Sequence, residues 1–280
     1  MHGGGSHAFS IAGGRTGVLL LHGLCGSPTE MRFVANGLAR AGYSVHCPQL
    51  AGHCAGEADL VATTWQDWVT SAERGLDVLS SSCDRIVLGG LSTGAVIALV
   101  LASRFPARIQ GLALYSPTLW LDGRCIPWFA HLFRLVTFRR FANLFRFPAP
   151  LEFGIKDDRL RTFIKSALAA PGAPALPFST PGVAVLERRR LVDRALNVLG
   201  EIHQPVLMLH PRDDEYASLA NAFHLQARLP GRVELVVLED SYHLITIDRQ
   251  RQTVLDHTLN FVGRIAGPAE PRCVSSAARV

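Results

Sequence analysis

No stretch of this 280-residue chain reaches the ~18 consecutive apolar residues that a membrane-spanning helix requires. The opening segment, MHGGGSHAFSIAGGR, lacks the basic-then-apolar order of a secretory signal, so a soluble cytoplasmic protein is expected. The six cysteines, at 25, 47, 54, 83, 125 and 273, have no C-x-x-C spacing, which argues against a zinc site and a disulfide framework and leaves them as free thiols. Eleven histidines are present, but no H-x-x-x-H pair comes with a carboxylate in a helical frame, so neither a metal nor a cofactor is expected. Base-stacking and duplex-binding motifs are missing, which argues against nucleic acid as a partner. What remains is a globular composition, 48% apolar with a net charge of +5, long enough for one large or two small domains.

The most informative stretch is LGGLSTG at 88–94. An apolar run at 85–89 reads as a buried strand, and TGAVIALVLASRF at 93–105 is apolar nearly all round, as a central helix is. A serine in the sharp turn between such a strand and helix is lifted clear of its neighbours, and the flanking small residues are required because a Cβ would collide with the tight backbone. Ser92 is therefore the candidate nucleophile.

A serine hydroxyl needs a base, and the base needs an orienting carboxylate. The strand-like run at 205–210 is followed by PRDDE, placing Asp213 and Asp214 in the loop beyond it. The next run, VELVVL at 233–238, is followed by EDSYHLITID, placing His243 in the corresponding loop. Ser, Asp, His in this chain order, each just beyond a strand, is the order a nucleophile-elbow hydrolase demands. Attack on a carbonyl also needs fixed donors for the oxyanion. One is the Thr93 N–H, which comes with the elbow; the other is the Leu24 N–H in the His22-Gly23-Leu24 turn after the first long strand.

Together, LLLHGLCGSPTEMRFVANGLARAGYSVHCPQLAGH, GLSTG, HPRDDE and SYHLITID resemble the α/β-hydrolase superfamily, in particular its bacterial carboxylesterase and monoacylglycerol lipase branch. The likeness spans residues 16–117 and 203–263. It implies Asp214 as the acidic triad member, because in that branch this residue stands just before a glutamate, here Glu215. The chain departs from the branch at Tyr242, where glycine usually precedes the histidine and where a larger side chain would narrow the pocket. It departs again at Cys54, after Gly52-His53, where the branch often has G-H-G; His53 is read as a structural loop residue.

Alternating strand and helix signals predict an α/β fold with a mostly parallel central sheet and helices on both faces. Ser27-Pro28-Thr29-Glu30 reads as a capping box opening a helix with Met31, Val34, Leu38 and Ala41 at helical spacing, stopped by Gly42. Residues 43–47 and 109–115 read as strands, and Thr64-Trp65-Gln66-Asp67 opens a helix whose Trp65, Trp68, Ala72, Leu76 and Leu79 form a core-facing stripe. Asp248 is placed to cap the last helix, and residues 266–280 read as a disordered tail.

Between Ser116 and Glu201 the strand rhythm fails, which is where α/β-hydrolases insert a lid. The expected division is therefore a core of residues 1–116 and 200–265 and an inserted helical lid over 117–199, split by Pro171, Pro174, Pro177 and Pro181. Residues 120–165 carry nine Lys or Arg against four Asp or Glu, and ten aromatics. Residues 128–147 read as a helix interleaving Arg134, Arg139, Arg140 and Arg146 with Phe133, Phe138, Phe141 and Phe145. A lid that buries its phenylalanines on the body competes with an aromatic acyl site formed by Phe138, Phe141 and Phe145, with a basic face turned to an anionic lipid surface or an acyl carrier protein. The expected activity is hydrolysis of carboxylic esters bearing an acyl chain through an acyl-enzyme. The alternatives are a thioesterase or acyltransferase working on carrier-linked acyl groups, and a non-catalytic binding protein on the same scaffold.

Overall fold

The computed structural model describes residues 7–126, 128–148, 154–169 and 179–267. In chain order the strands are β1 (Phe9–Ile11), β2 (Thr16–Leu21), β3 (Ser44–Cys47), β4 (Arg85–Leu91), β5 (Ile109–Tyr115), β6 (Arg146–Pro148), β7 (Ser179–Pro181), β8 (Val206–Pro211) and β9 (Val233–Leu238). The helices are α1 (Arg32–Arg40), α2 (Glu57–Ala62), α3 (Trp65–Ser80), α4 (Thr93–Arg104), α5 (Arg139–Ala142), α6 (Asp158–Ala169), α7 (Gly182–Val198), α8 (Leu219–Arg228) and α9 (Arg251–Ala266).

Seven strands make one sheet in the order β1-β3-β2-β4-β5-β8-β9. Every neighbouring pair is parallel except β1 with β3, where Phe9 opposes Cys47. The central strands are buried on both faces, so each reads as a continuous apolar run whose residues alternate between two cores. Leu19, Leu21, Leu88, Leu112, Leu114 and Met208 face the core shared with α3, α4 and α7. Val18, Leu20, Val87, Ala113, Tyr115, Leu207 and Leu209 face the one shared with α1 and α9. The Tyr115 hydroxyl, fully buried, is satisfied by Thr258 Oγ1 at 3.0 Å. Helix α4 lies between sheet and helices and is buried from Thr93 to Ala102, which explains why its sequence has no polar face. Trp68 is a core anchor, with its indole N–H donated to Thr63 Oγ1 at 3.0 Å.

Several local expectations need correction. Ser27 and Glu30 do not form a capping box: Pro28–Met31 is a short 3₁₀ turn without a side-chain cap, and the Glu30 carboxylate instead accepts from Gly23 N at 3.3 Å. Asp248 does not cap the last helix, which begins after Gln250. Its carboxylate accepts from the backbone N–H groups of Tyr242, Lys156 and Asp157 at 2.7–3.0 Å. Nor do residues 128–147 form one helix; they run as a 3₁₀ segment (Trp128–Leu135), the single turn α5, and β6, which pairs antiparallel with β7. The physical reason is that this segment has no continuous stripe to bury. Phe133 and Ala142 pack inward with Val183 and Leu186, whereas Phe138, Phe141 and Phe145 are exposed. Arginines of α7 take up the carbonyls this leaves open: Arg189 donates to the carbonyls of Phe133, Arg134 and Val136, and Arg190 to that of Thr137.

Helix α7 itself packs along α4, contributing Ala184, Leu191, Val192 and Ala195 to the sheet's own core. The proline-rich stretch expected to divide the insertion and most of the expected tail, residues 268–280, lie outside the described residues apart from Pro181.

Beneath the C-terminal edge of the sheet, His22, His53 and Trp68 stack edge to face, with ring centroids 5.1 and 5.7 Å apart. His22 Nδ1 faces the Gly23 carbonyl at 2.9 Å and Nε2 accepts from Leu50 N at 3.2 Å, a pattern that fits only the neutral ring. Burial, with His53 adding to it, pulls the His22 pKa down to about 3, and burial pulls that of His53 to about 4. Both lie below the unfolded value near 6.5, so the unfolded chain takes up these protons first. Their contribution to stability is whole above pH ~6.5 and is lost as the pH falls towards 4. The urea midpoint should therefore drop steadily between pH 7 and pH 4.5, and His53→Gln should flatten the slope; an unchanged slope in that variant would remove His53 from the account.

Candidate active site

Ser92 occupies the junction of β4 and α4 with φ +55° and ψ −112°, a left-handed-side conformation that a non-glycine residue adopts only when its surroundings compel it. The compulsion is close packing on both sides. A Cβ on Gly90 would overlap the carbonyl of Gly94, and a Cβ on Gly94 would overlap that of Leu21 on β2. The Ser92 N–H is fixed to Tyr115 O at 2.8 Å, tying the turn to β5 as well. Its hydroxyl is 2.9 Å from His243 Nε2 and 3.3 Å from Thr118 Oγ1.

His243 follows β9, and its Nδ1 lies 2.7 Å from Asp214 Oδ2. A carboxylate only accepts, so Nδ1 carries the proton and Nε2 presents its lone pair to Ser92. Asp214 follows β8, and its side chain is completely buried. Its other oxygen accepts from the N–H groups of Tyr216 and Ala217 at 2.8 and 3.0 Å, and His210 Nε2 stands 3.6 Å from Oδ2. Burial alone would raise this carboxyl's pKa, but the His243 ring, His210 and the Ala217 N–H outweigh it and hold the pKa below the usual carboxylate value. Asp213, its neighbour, is exposed. The pair of aspartates left open by spacing alone is thus separated by geometry: Asp214 meets His243.

Of the two N–H groups expected to face an oxyanion, that of Thr93 is the first of α4 and so has no intrahelical acceptor. That of Leu24 makes no hydrogen bond among the described residues. The turn carrying Leu24 is held by Gly26 N to Gly23 O at 3.2 Å and by Glu30 against Gly23 N. Burial pushes the Glu30 pKa up to about 7, opposed by the Gly23 N–H and by His243. Cys25, beside Leu24, is held up at about 11 by burial and so stays a thiol. Among the described residues no group of three metal-ligating side chains comes together, and no helix is long and apolar enough to cross a membrane.

Two further carboxylates bind the insertion to this site. Glu215, next to Asp214, accepts from Gly154 N and from Arg124 Nη2, both at 2.8 Å. Leu244, next to His243, donates its N–H to Gly154 O at 2.7 Å. Gly154 has φ +87°, which restricts that position to glycine. Asp248 makes the parallel connection from the His243 loop to residues 156 and 157. Sequence reading missed these contacts; the only local signal is a carboxylate immediately after Asp214 and another five residues after His243. Tyr242, expected to narrow the pocket, has its ring under Arg124 and near Lys156, at 4.9 and 5.5 Å. Phe138, Phe141 and Phe145 stand 65%, 49% and 43% exposed on the insertion's outer surface.

Comparison with known proteins agrees with this architecture. The chain is 29% identical to the thermostable monoacylglycerol lipase of Bacillus sp. (strain H-257), over 94% of this chain and 96% of that one. It is 25% identical to a carboxylesterase of Bacillus subtilis (strain 168), over 92% and 96%. A solved structure from work on LipS and LipT, two metagenome-derived lipolytic enzymes, superposes with a TM-score of 0.77 at 28% identity, covering 92% of this chain and 97% of that chain. The monoacylglycerol lipase of Paleococcus ferrophilus shares the fold, with a TM-score of 0.71 at 18% identity over 90% and 99%. Residues 14–250 match the family Hydrolase_4, described as serine aminopeptidase, S33, and with that match spanning both the sheet and the Ser92, Asp214 and His243 loops, the chain belongs to this α/β-hydrolase family.

Proposed function

We propose that this protein hydrolyses carboxylic esters bearing an acyl chain, through an acyl-enzyme formed on Ser92. The observation that carries this reading is the unbroken line from Ser92 Oγ to His243 Nε2 at 2.9 Å and from His243 Nδ1 to Asp214 at 2.7 Å. The family's description names a peptidase, but the curated relatives that span this chain are a lipase and a carboxylesterase. In the proposed reaction His243 Nε2 takes the Ser92 proton as the oxygen attacks the ester carbonyl. Asp214 keeps the ring oriented and balances the imidazolium. The Leu24 and Thr93 N–H groups hold the oxyanion, and the imidazolium then protonates the leaving alcohol. Water, activated by the same histidine, releases the acid. Thr118 Oγ1 competes as an acceptor for the Ser92 proton at 3.3 Å, but His243 is nearer.

The insertion's outer surface supports a lipid-facing approach rather than a carrier protein. Arg139 is spent on Glu187 and on the carbonyls of Val61 and Thr63, and Arg146 is paired with Glu57. That leaves Arg134 and Arg140 outside any ion pair among the described residues, with the Arg140 guanidinium lying 5.2 Å from the Phe141 ring centroid. In the same stretch of chain Leu132, Leu135, Phe138, Phe141 and Leu144 are exposed, apolar side chains with a few cations among them, as suits an anionic lipid surface. In this reading Phe138, Phe141 and Phe145 meet the acyl chain before it enters.

Three outcomes test the proposal. A fluorophosphonate should label Ser92, and Ser92→Ala should abolish labelling while leaving the melting curve unchanged; an adduct mapped to another residue would displace the nucleophile. Asp214→Asn should lower kcat for p-nitrophenyl butyrate by about a thousandfold or more, while Asp213→Asn stays within about twofold of wild type. Equal losses would undo the choice between the two aspartates. Replacing Phe138 and Phe141 together by serine should cut turnover of monoacylglycerol dispersed in anionic vesicles by about tenfold, each exposed ring being worth up to ~1.5–3 kcal/mol when buried in lipid. A soluble short-chain ester should be turned over as before, and equal activity on vesicles would reduce the patch to ordinary surface.

A further inference from the structure

Helix α7 carries the run Glu187-Arg188-Arg189-Arg190, and its four charges have different fates. Glu187 is buried between Arg139 and Arg190, and Arg189 reaches three carbonyls of the insertion. Arg188 points the other way. It is 7% exposed, its Nη1 donates to Thr118 O at 3.0 Å, and its Nε has no partner among the described residues. No carboxylate among the described residues pairs with it. Burial lowers its pKa to about 10, which leaves it a cation at neutral pH. A guanidinium taken out of water with a single carbonyl partner and no counter-charge is unfavourable, and an anion that occupies the site relieves that cost most fully.

The position says what the anion belongs to. Thr118 Oγ1 is 3.3 Å from Ser92 Oγ, and Thr118 O receives Arg188, so covalent geometry puts the guanidinium no more than about 11 Å from the nucleophile. The start of the same helix adjoins the other side of the site, where Cys25 Sγ, next to Leu24, is 3.8 Å from Thr180 Oγ1. The buried cation therefore lies within one short substrate length of Ser92.

Building on the ester-hydrolase reading, we propose that Arg188 is a substrate-binding residue that anchors a carboxylate carried by the ester, so that the preferred substrates are half-esters rather than fully neutral esters. The planar fork of a guanidinium donates two parallel hydrogen bonds to a carboxylate. The spacing suits a carboxylate roughly five to eight carbons from the scissile carbonyl, given ordinary C–C bond lengths. Hydrolysis is balanced as for any ester: the acyl C–O bond breaks, water supplies OH to the acyl carbon and H to the alcohol, and Ser92 is regenerated. The carboxylate can sit on either half of the ester, and the two sources are separable.

The test compares kcat/KM on matched pairs. In the acid arm, monoethyl glutarate, adipate and suberate are set against ethyl esters of neutral acids of equal length. In the alcohol arm, 6-(butanoyloxy)hexanoate is set against hexyl butanoate. Wild type should prefer the carboxylated ester by about tenfold or more in one arm, with an optimum chain length, and Arg188→Met should erase that ratio. Arg188→Met should also melt at or above the wild-type temperature, because it removes an unpaired buried charge. Adipate or 6-hydroxyhexanoate should competitively inhibit wild-type cleavage of p-nitrophenyl butyrate, a measurement that needs no variant. Arg188→Lys, which keeps the charge without the fork, should retain part of the ratio. No preference in either arm, no inhibition, or a ratio unchanged in Arg188→Met together with a lowered melting temperature would overturn the inference and leave Arg188 as a brace for Thr118. If wild type cleaves no ester and Ser92 resists fluorophosphonate, the ester-hydrolase reading fails first; an active enzyme without preference sinks Arg188 alone.

Discussion

The backbone of α4 passes so close to β2 that nothing larger than glycine fits at Gly94, where a side chain would meet the Leu21 carbonyl. That approach sets the rest of the site. It forces the chain to turn within one residue, leaves Ser92 at φ +55°, and aims the first N–H groups of α4 at the space above the serine. The cost of the strained serine is offset by the burial of α4 from Thr93 to Ala102 between the sheet and α7. Because β4 is central and parallel to both β2 and β5, the loops after β8 and β9 open on the same edge and deliver Asp214 and His243 to the serine.

What was legible in the sequence is what is local. The elbow, the strands at Ile109–Tyr115 and Val233–Leu238, and the core tryptophan Trp68 declare themselves through periodicity and small residues within a few positions. The short edge strand β1 did not, since three residues carry no period and it exists only through its pairing with β3. Glu30 and Asp248 were misread for a related reason. Each stands where a helix cap is expected, but a cap is worth only about 1 kcal/mol, and each carboxylate also accepts from a backbone N–H of a neighbouring loop, six or seven residues back along the chain. Spacing alone left Asp213 and Asp214 open and the family resemblance favoured Asp214; in the fold Asp214 is the one against His243, because adjacent residues at a strand end point in opposite directions.

The insertion was the least legible part because its charges and aromatics admit several arrangements of similar composition. The arginines of residues 128–147 looked like a solvated basic face, yet Arg139 spends its donors on carbonyls and on the buried Glu187, and Arg189 and Arg190 of α7, which that reading did not include, do the same, acting as cross-links in a segment with little regular hydrogen bonding of its own. Guanidinium suits this work because it offers several fixed donors and is weakly hydrated. The phenylalanines divided accordingly: Phe133 went inward with Ala142 and Val183, Phe147 packed partly buried against it, and Phe138, Phe141 and Phe145 stayed exposed.

Gly154 has its N–H on Glu215 and its carbonyl on Leu244, the residues that follow the acid and the base. The backbone of Gly154 therefore bridges two loops that come from different strands, alongside the His243–Asp214 bond, the Tyr216–His243 ring contact and the Arg212–Glu239 ion pair. Ordering the segment that carries Gly154 is on this account coupled to ordering both loops. A shortened chain without that segment would leave the loops of Asp214 and His243 without this common brace.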